Sequence, residues 1–238
     1  MAPTLVNAAL GALLAAALLG AAFDRRSVAV VVAAAVVPSA DAAASLVVTG
    51  ATNTVLHTVW LPLAVGGLIY WDTTRRESSW LRERYGWRGV RVGWVALTAF
   101  VAAGIAPEAV GDPGANLLYP VDDAYYVVDG LLLFSTQDGV VQTFVSATAE
   151  GPGLLPFESR GTTETHAIAT WVNPDGRPGV GGSDERVLTL VETGWQAVVV
   201  AAAGASLAVR FRPWSSDSGE KATTASPSED PPVSGVNE

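Results

Sequence analysis

The 238-residue chain lacks cysteine and has one methionine and one lysine, Lys221. Without cysteine, disulfides, thiolate nucleophiles and cysteine-bound zinc or iron–sulfur centres are excluded, so a metal would need oxygen and imidazole ligands. Charged residues are also scarce, at 16%, whereas half of the residues are apolar. Because soluble domains carry about 25% charged residues, this composition favours a membrane protein.

Basic residues are outnumbered by acidic ones, 14 against 23, which gives a formal net charge of −9. Nucleic-acid binding requires a basic surface, so we expect no nucleic-acid partner. The acidic, lysine-poor composition resembles that of proteins from salt-loving archaea. This likeness bears on the source of the chain and not on its function.

The apolar residues are concentrated in long runs, and a helix needs about 20 of them to cross the hydrocarbon core of a bilayer. The first run, Thr4 to Phe23, has no charge. A cleaved signal peptide is the alternative for this run, but no basic residue precedes it. The second run, 27–48, is broken at 38–41, where Pro38 removes a backbone donor and Asp41 would be costly in lipid. We therefore expect the second helix to end near Val37.

The fold class predicted is mainly α, an integral membrane helical bundle of about five spans with a small extracytoplasmic β-rich loop subdomain. The membrane domain, residues 1–106, holds the first four spans: 4–23, 27–48, 54–71 and 90–106. Residues 107–186 form an acidic loop domain, 187–211 the fifth transmembrane helix, and 212–238 a disordered acidic tail.

The distribution of basic residues predicts the orientation, because cytoplasmic loops carry the excess of arginine and lysine. Eleven of the fourteen lie on one side of the predicted spans, and the other three, Arg160, Arg177 and Arg186, lie in the long loop. We therefore expect a multi-pass protein of the cell membrane with its N-terminus outside and its C-terminus in the cytoplasm.

Turn signals in the loop domain predict strands. Asp129-Gly130 and Asp138-Gly139 separate β-rich runs, and Gly and Asp accept the positive φ of tight hairpin turns. We expect a three-stranded meander with strands at 125–128, 131–136 and 140–145, and a further strand within 162–172.

Several polar residues lie in or beside the apolar runs, where polar groups are expensive. Asn7, Asp41, Asn53 and His57 are all expected near the outer interface. Asn53 and His57 are four residues apart and would share one helical face if the helix begins by Asn53. The adjacent pair Asp122 and Asp123 in the loop, and Glu192 at the predicted start of the fifth span, are further acids near this level.

The apolar spans, the sequence Pro38-x-x-Asp41 after the second span, and Leu56-His57-Thr58 before the third resemble the membrane-bound metal-dependent hydrolases, the YdjM-like inner-membrane family and its archaeal relatives. The resemblance covers roughly residues 4–71. It implies a metal site in which Asp41 and His57 are ligands and catalytic residues. Asn7, Ser39 and Thr52-Asn53 stand where that family has its first histidine, an aspartate and a His-Arg pair.

Two functions follow as expectations. In the first, a divalent metal (zinc, magnesium or manganese) at Asp41 and His57, with Asn7, Asn53, Asp122 and Asp123 as possible additional residues, activates water for attack on a lipid-like ester or phosphoester. In the second, the chain is a non-catalytic membrane protein of the same fold, with a degenerate metal site, that serves binding or envelope structure. Two protein ligands favour the second, because catalytic zinc ordinarily has three. In both, the lipid bilayer is a partner.

Overall fold

The computed structural model describes residues 3–145, 153–179 and 185–212, and this part of the chain is mainly α-helical. The helices are α1 (Thr4–Leu18), α2 (Arg25–Val36), α3 (Asp41–Ala44), α4 (Trp60–Thr74), α5 (Trp80–Ala99), α6 (Ala106–Val110) and α7 (Gly194–Phe211). A 3₁₀ turn, Val37–Ala40, connects α2 with α3, and a π-helical segment, Phe100–Ile105, connects α5 with α6. Helices α2 and α3 therefore form one helical path, Arg25–Ala44, and α5 and α6 form another, Trp80–Val110.

Three helical paths in the described residues are long and apolar enough to cross a membrane: Arg25–Ala44, Trp80–Val110 and Gly194–Phe211. Helix α1 is also apolar but has only 15 residues. At this level the structure confirms the expectation of a membrane protein with transmembrane helices, compatible with contact with the lipid bilayer.

One end of the bundle, which we call the loop end, meets the long segment between α6 and α7. Thr4 at the start of α1, Ser39 after α2 and Glu192 before α7 line one cavity there. The start of α4 lies at the same end, because the Val59 amide donates a hydrogen bond to the Leu117 carbonyl (2.8 Å). The loop end therefore unites the polar segment with the candidate residues.

The opposite end, the arginine end, contains the connections α1–α2 and α4–α5. Arg91 Nε donates to the Leu18 carbonyl at the end of α1 (2.9 Å), and the rings of Phe23 and Phe211 lie 5.0 Å apart. Because a helix C-terminus has unpaired carbonyls and partial negative charge, an arginine is a favourable partner there. The five long helices thus alternate in direction between the two ends.

Small residues allow α1, α2 and α5 to pack closely. A Cβ placed on Gly11 would lie 2.7 Å from the Ala35 Cβ, and one on Gly104 would lie 2.7 Å from Pro38 Cγ. The buried cluster formed by these helices is rich in alanine and valine: Ala15, Leu19, Ala22, Val28, Val31, Ala35, Val95, Ala99 and Ala103. Backbone proximity of this kind is how apolar helices associate where burial from water contributes little.

Helix α2 ends at Val36, close to the expected Val37, but the helical path continues beyond it. Pro38 lies in the first turn of the 3₁₀ segment, and α-helix resumes at Asp41. The break predicted at 38–41 is therefore a tightening of the helix.

Helix boundaries elsewhere also differ from the predicted spans. Helix α4 begins at Trp60 and not at 54, and the fifth helix begins at Gly194 and not at 187. Helix α5 begins ten residues earlier than expected, because the Ser79 hydroxyl caps it by accepting the Arg82 amide hydrogen (3.1 Å). A kink at Gly86, whose φ is +66°, lets this polar first part leave the axis of the apolar part.

The loop segment contains four short strands in two separate pairs. Strand β1 (Tyr126–Val127) pairs with β4 (Glu158–Ser159), and β2 (Leu132–Ser135) pairs with β3 (Gly139–Gln142), all antiparallel. The hairpin predicted at Asp138-Gly139 is confirmed, but the three-stranded meander is wrong because β1 pairs with β4 instead of β2. Residues 162–172 form turns and irregular backbone. The tail predicted to be disordered lies, from residue 213, outside the described residues.

Candidate functional site

Asp41 and His57 are in direct contact and each is only 1% exposed. His57 Nδ1 lies 3.0 Å from Asp41 Oδ2. The same carboxylate accepts the amide hydrogens of Thr54 (3.1 Å) and Leu56 (2.9 Å to Oδ2 and 3.1 Å to Oδ1). Asp41 thus anchors the 52–57 segment to the end of the second helical path, and it has the partners that a buried carboxylate requires.

The segment that carries His57 is a series of turns, not the start of a helix. Gly50 and Asn53 have positive φ values, +68° and +55°, a region that glycine and asparagine tolerate better than other residues. The expectation that Asn53 and His57 share a helical face is therefore wrong. The turns place the amides of Thr54 and Leu56 towards Asp41.

Asn53 belongs to a second buried group beside the first. Its Nδ2 donates to the Gly114 carbonyl (3.0 Å) and to Glu108 Oε2 (3.3 Å). Its backbone carbonyl accepts the Asn116 backbone amide hydrogen (2.9 Å). Glu108, on α6, is 1% exposed. This group joins the 50–58 turns to α6 and to the start of the long loop.

Tyr125 closes the same turns from the loop side. Its fully buried hydroxyl donates to the Gly50 carbonyl (2.6 Å) and lies 2.7 Å from Thr54 Oγ1. Burial, which penalises the phenolate, raises the pKa of Tyr125 to about 12, and the negative charges of Asp123 and Asp41 act in the same direction. The neutral hydroxyl is thus the form that this contact needs.

Asp122 and Asp123 bind parts of the loop domain and not the Asp41–His57 pair. Asp123 accepts hydrogen bonds from the Thr163 hydroxyl (2.7 Å) and from Asn116 Nδ2 (2.7 Å). Asp122 accepts the Tyr126 hydroxyl and the Leu154 amide hydrogen. Adjacent along the chain, the two carboxylates therefore organise different turns.

Asn7 is completely buried, and neither its Nδ2 nor its Oδ1 has a hydrogen-bond partner among the described residues. Ser39 Oγ is likewise buried without a partner there. Gly11 on α1 faces Ala35 on α2 across the antiparallel contact of the two helices. About one helical turn closer to the loop end lie Asn7, on α1, and Ser39, in the 3₁₀ turn after α2. Unpaired buried polar groups are rare and are costly.

The residues do not fit the metal site that the family resemblance implies. The described residues contain no group of three or more His, Asp or Glu side chains placed to hold a metal ion. The Asp41 oxygens face two backbone amides and His57. Together these three groups occupy most of the positions at which a carboxylate can accept a hydrogen bond or bind a metal. A metal at Asp41 and His57 stays a prediction for direct measurement.

Three contributors to this region were not singled out from the sequence: Glu108, Tyr125 and Asn173. Asn173 Nδ2 donates to the Ser45 carbonyl (3.0 Å) and hydroxyl (3.1 Å), which ties the loop to the end of α3. Of the three, only Glu108 could have been found from the sequence, because it is an acid that directly follows an apolar run and Pro107.

Compared with protein-family models, curated proteins and solved structures, the chain matches none.

Proposed function

We propose that this chain is a non-catalytic multi-pass membrane protein that holds a polar binding domain at the outer face, and that Asp41 and His57 are structural. The single observation that carries the proposal is the use of the Asp41 carboxylate by Thr54 N–H, Leu56 N–H and His57. These contacts join the membrane helices to the turns on which the loop domain rests. A carboxylate that binds a metal or a substrate would instead keep an oxygen free for it.

The proposal includes five spans with the N-terminus outside. Support comes from the alternating directions of the five long helices and from the arginines gathered at one end. Under the rule that cytoplasmic ends carry the excess of arginine, the arginine end is cytoplasmic. Residues 107–186, with twelve acids and three bases, then lie outside.

Elemental analysis of the protein purified in mild detergent tests the structural role. We compare wild type with Asp41→Ala and His57→Ala, and use His166→Ala as control, because His166 is the other histidine of the chain. We expect no stoichiometric zinc, manganese or magnesium in any of them, and lower thermal stability in the first two variants. About one divalent ion per chain, retained in the control and lost in both site variants, would overturn the proposal.

A hydrolase acting on a lipid-like ester or phosphoester at the outer interface is the second candidate. It is favoured by one observation, the position of Asp41 at His57 Nδ1. A carboxylate there holds the proton on Nδ1 and leaves Nε2 as the basic nitrogen, the arrangement used by general-base histidines.

Hydrolysis of lipid-like esters by wild type in detergent micelles tests this candidate. Loss of a general base lowers the rate by about 100-fold or more, so His57→Ala would abolish turnover while His166→Ala preserves it. Under the structural proposal wild type itself shows no turnover above the heat-treated protein.

A further inference from the structure

A cavity of about 390 Å³ opens at the loop end, and neither Asp41 nor His57 lines it. Four segments contribute to it: the start of α1, the end of the second helical path, residues 169–174 and residues 185–192. Small-molecule sites commonly measure about 300–1,000 Å³ and combine an apolar lining with a few polar groups. The cavity has this composition, since Val187 and Leu188 line it together with hydroxyl and carboxylate side chains.

Two carboxylates and an indole give the cavity its chemical character. Glu185 and Glu192 line it, and in the part of the chain that the structure describes neither forms a salt bridge. Trp171, half exposed, lies on the same lining. Arg186 is not a lining residue, and its Nη1 donates to the Val172 carbonyl (3.0 Å).

Hydroxyl groups supply the polar part of the lining, and one of them has no partner. Thr4 and Ser39 both line the cavity, and Ser39 Oγ is without a hydrogen-bond partner among the described residues. The Ser39 Oγ atom is covered by protein, so it is not among the atoms that a ligand in the cavity contacts.

From this combination we infer that the cavity binds an organic ammonium ion. The carboxylates of Glu185 and Glu192 attract the positive charge, and the face of Trp171 offers a cation–π contact, for which tryptophan is the best side chain. A bare metal ion would leave most of a 390 Å³ space unfilled and gains nothing specific from the indole.

This site goes beyond the proposed function and does not depend on whether Asp41 and His57 are structural or catalytic. The ammonium group has two possible sources at the outer face of a membrane, a free small molecule and a lipid headgroup. The two share the positive charge at the nitrogen, so the experiment has one arm for each.

In the first arm, choline is titrated calorimetrically into the full-length protein in dodecyl maltoside, at ionic strength kept constant with sodium chloride. The matched ligand is 3,3-dimethyl-1-butanol, in which carbon replaces the charged nitrogen. We expect saturable binding of choline and none of the alcohol. In the second arm, the protein is reconstituted with equal amounts of ethanolamine and glycerol phospholipids, and the lipids retained after purification are quantified by mass spectrometry.

Variants connect either result to the cavity. Glu192→Gln removes the charge with the shape preserved, and Trp171→Leu removes the aromatic face; each is expected to weaken binding by about tenfold. Glu164→Gln is the control, since Glu164 is an exposed acid outside the lining. Thermal unfolding without ligand verifies that all three fold.

Choline binding that both cavity variants weaken identifies a free ammonium ligand, and selective retention of the ethanolamine lipid that both variants abolish identifies a headgroup. The inference is overturned if neither ligand binds, if the neutral alcohol binds as well as choline, or if Glu192→Gln and Trp171→Leu behave like Glu164→Gln. None of these results alters the metal content of wild type, so the two proposals fail separately.

Discussion

Asp41 is a buried carboxylate whose partners are amides of a turn, and this suggests a direct substitution. Asparagine in its place keeps the shape but loses the charge, and in either orientation its NH₂ group faces the Leu56 amide hydrogen, which contacts both Asp41 oxygens. Since hydrogen bonds to a charged group contribute about 1.5–3 kcal/mol, we expect Asp41→Asn to lower the free energy of unfolding by about 2 kcal/mol. Thermal or denaturant unfolding in detergent measures it.

The matched control is Asp129→Asn, because Asp129 is an exposed acid of the loop domain. Surface substitutions of this kind change stability by about 0.5 kcal/mol or less. Equal stability of Asp41→Asn and Asp129→Asn would contradict the anchoring role.

The buried hydroxyl of Tyr125 should make the stability of the fold depend on pH in the alkaline range. Its pKa is raised to about 12 by burial, above the ordinary value of 10.0. Because the folded state favours the neutral phenol, the stabilisation is complete below pH 10, and it decreases as the pH rises from 10 towards 12. Absorbance at 295 nm, which follows tyrosinate, should show one component titrating near pH 12 that Tyr125→Phe removes. Titration of all five tyrosines near pH 10 would contradict this.

At this scale the sequence predicted the polar residues better than their contacts. Asp41 and His57 were singled out as neighbours of the outer interface, and they do touch. The contact of Asn53 with Glu108 joins residues 55 positions apart, and the path of the intervening chain, which no local pattern contains, decides it. Asn53 was expected at the start of a helix and lies in a turn instead, because its spacing from His57 gives no indication of its positive φ.

At the scale of elements, the close approach of α1 and α2 depends on Gly11. A Cβ there would lie 2.7 Å from the Ala35 Cβ, a short methyl that no rotamer change can move away. We expect Gly11→Ala to destabilise the protein by about 1–3 kcal/mol, the usual cost of overpacking. Unfolding in detergent, followed by circular dichroism at 222 nm, is a suitable measurement.

Gly67 in α4 provides the control, because an added Cβ there meets no atom within 4 Å. Alanine in a helix is favoured over glycine by about 0.5–1 kcal/mol, so Gly67→Ala should be neutral or slightly stabilising. Should Gly11→Ala behave in the same way, the α1–α2 interface is looser than the structure has it.

The existence of helices followed from the apolar runs, whereas their ends did not. Pro38 predicted the end of α2, which lies at Val36, but not the 3₁₀ turn and short helix that follow it. The start of α5 was missed because its first turns are polar and exposed, held by the Ser79 cap and kinked at Gly86. Strand pairing was missed for a related reason, since β1 pairs with a strand about 30 residues further along the chain.

At the scale of the whole molecule, the two ends of the bundle differ in charge. Arginines at the α1–α2 and α4–α5 connections and at the end of α7 gather at the arginine end, and the acidic segment lies at the loop end. Moving arginines across a bilayer is unfavourable, so the asymmetry predicts that the arginine end stays in the cytoplasm.

Single cysteines test this direction, and the absence of native cysteine makes the background zero. Thr136→Cys places a thiol in the exposed β2–β3 turn at the loop end, and Ser78→Cys places one in the exposed α4–α5 connection. We expect a membrane-impermeant maleimide to label Thr136→Cys on intact cells and to label Ser78→Cys only after permeabilisation. The opposite pattern would put the loop domain in the cytoplasm, and the cavity that binds the ammonium ion would then face the cell interior.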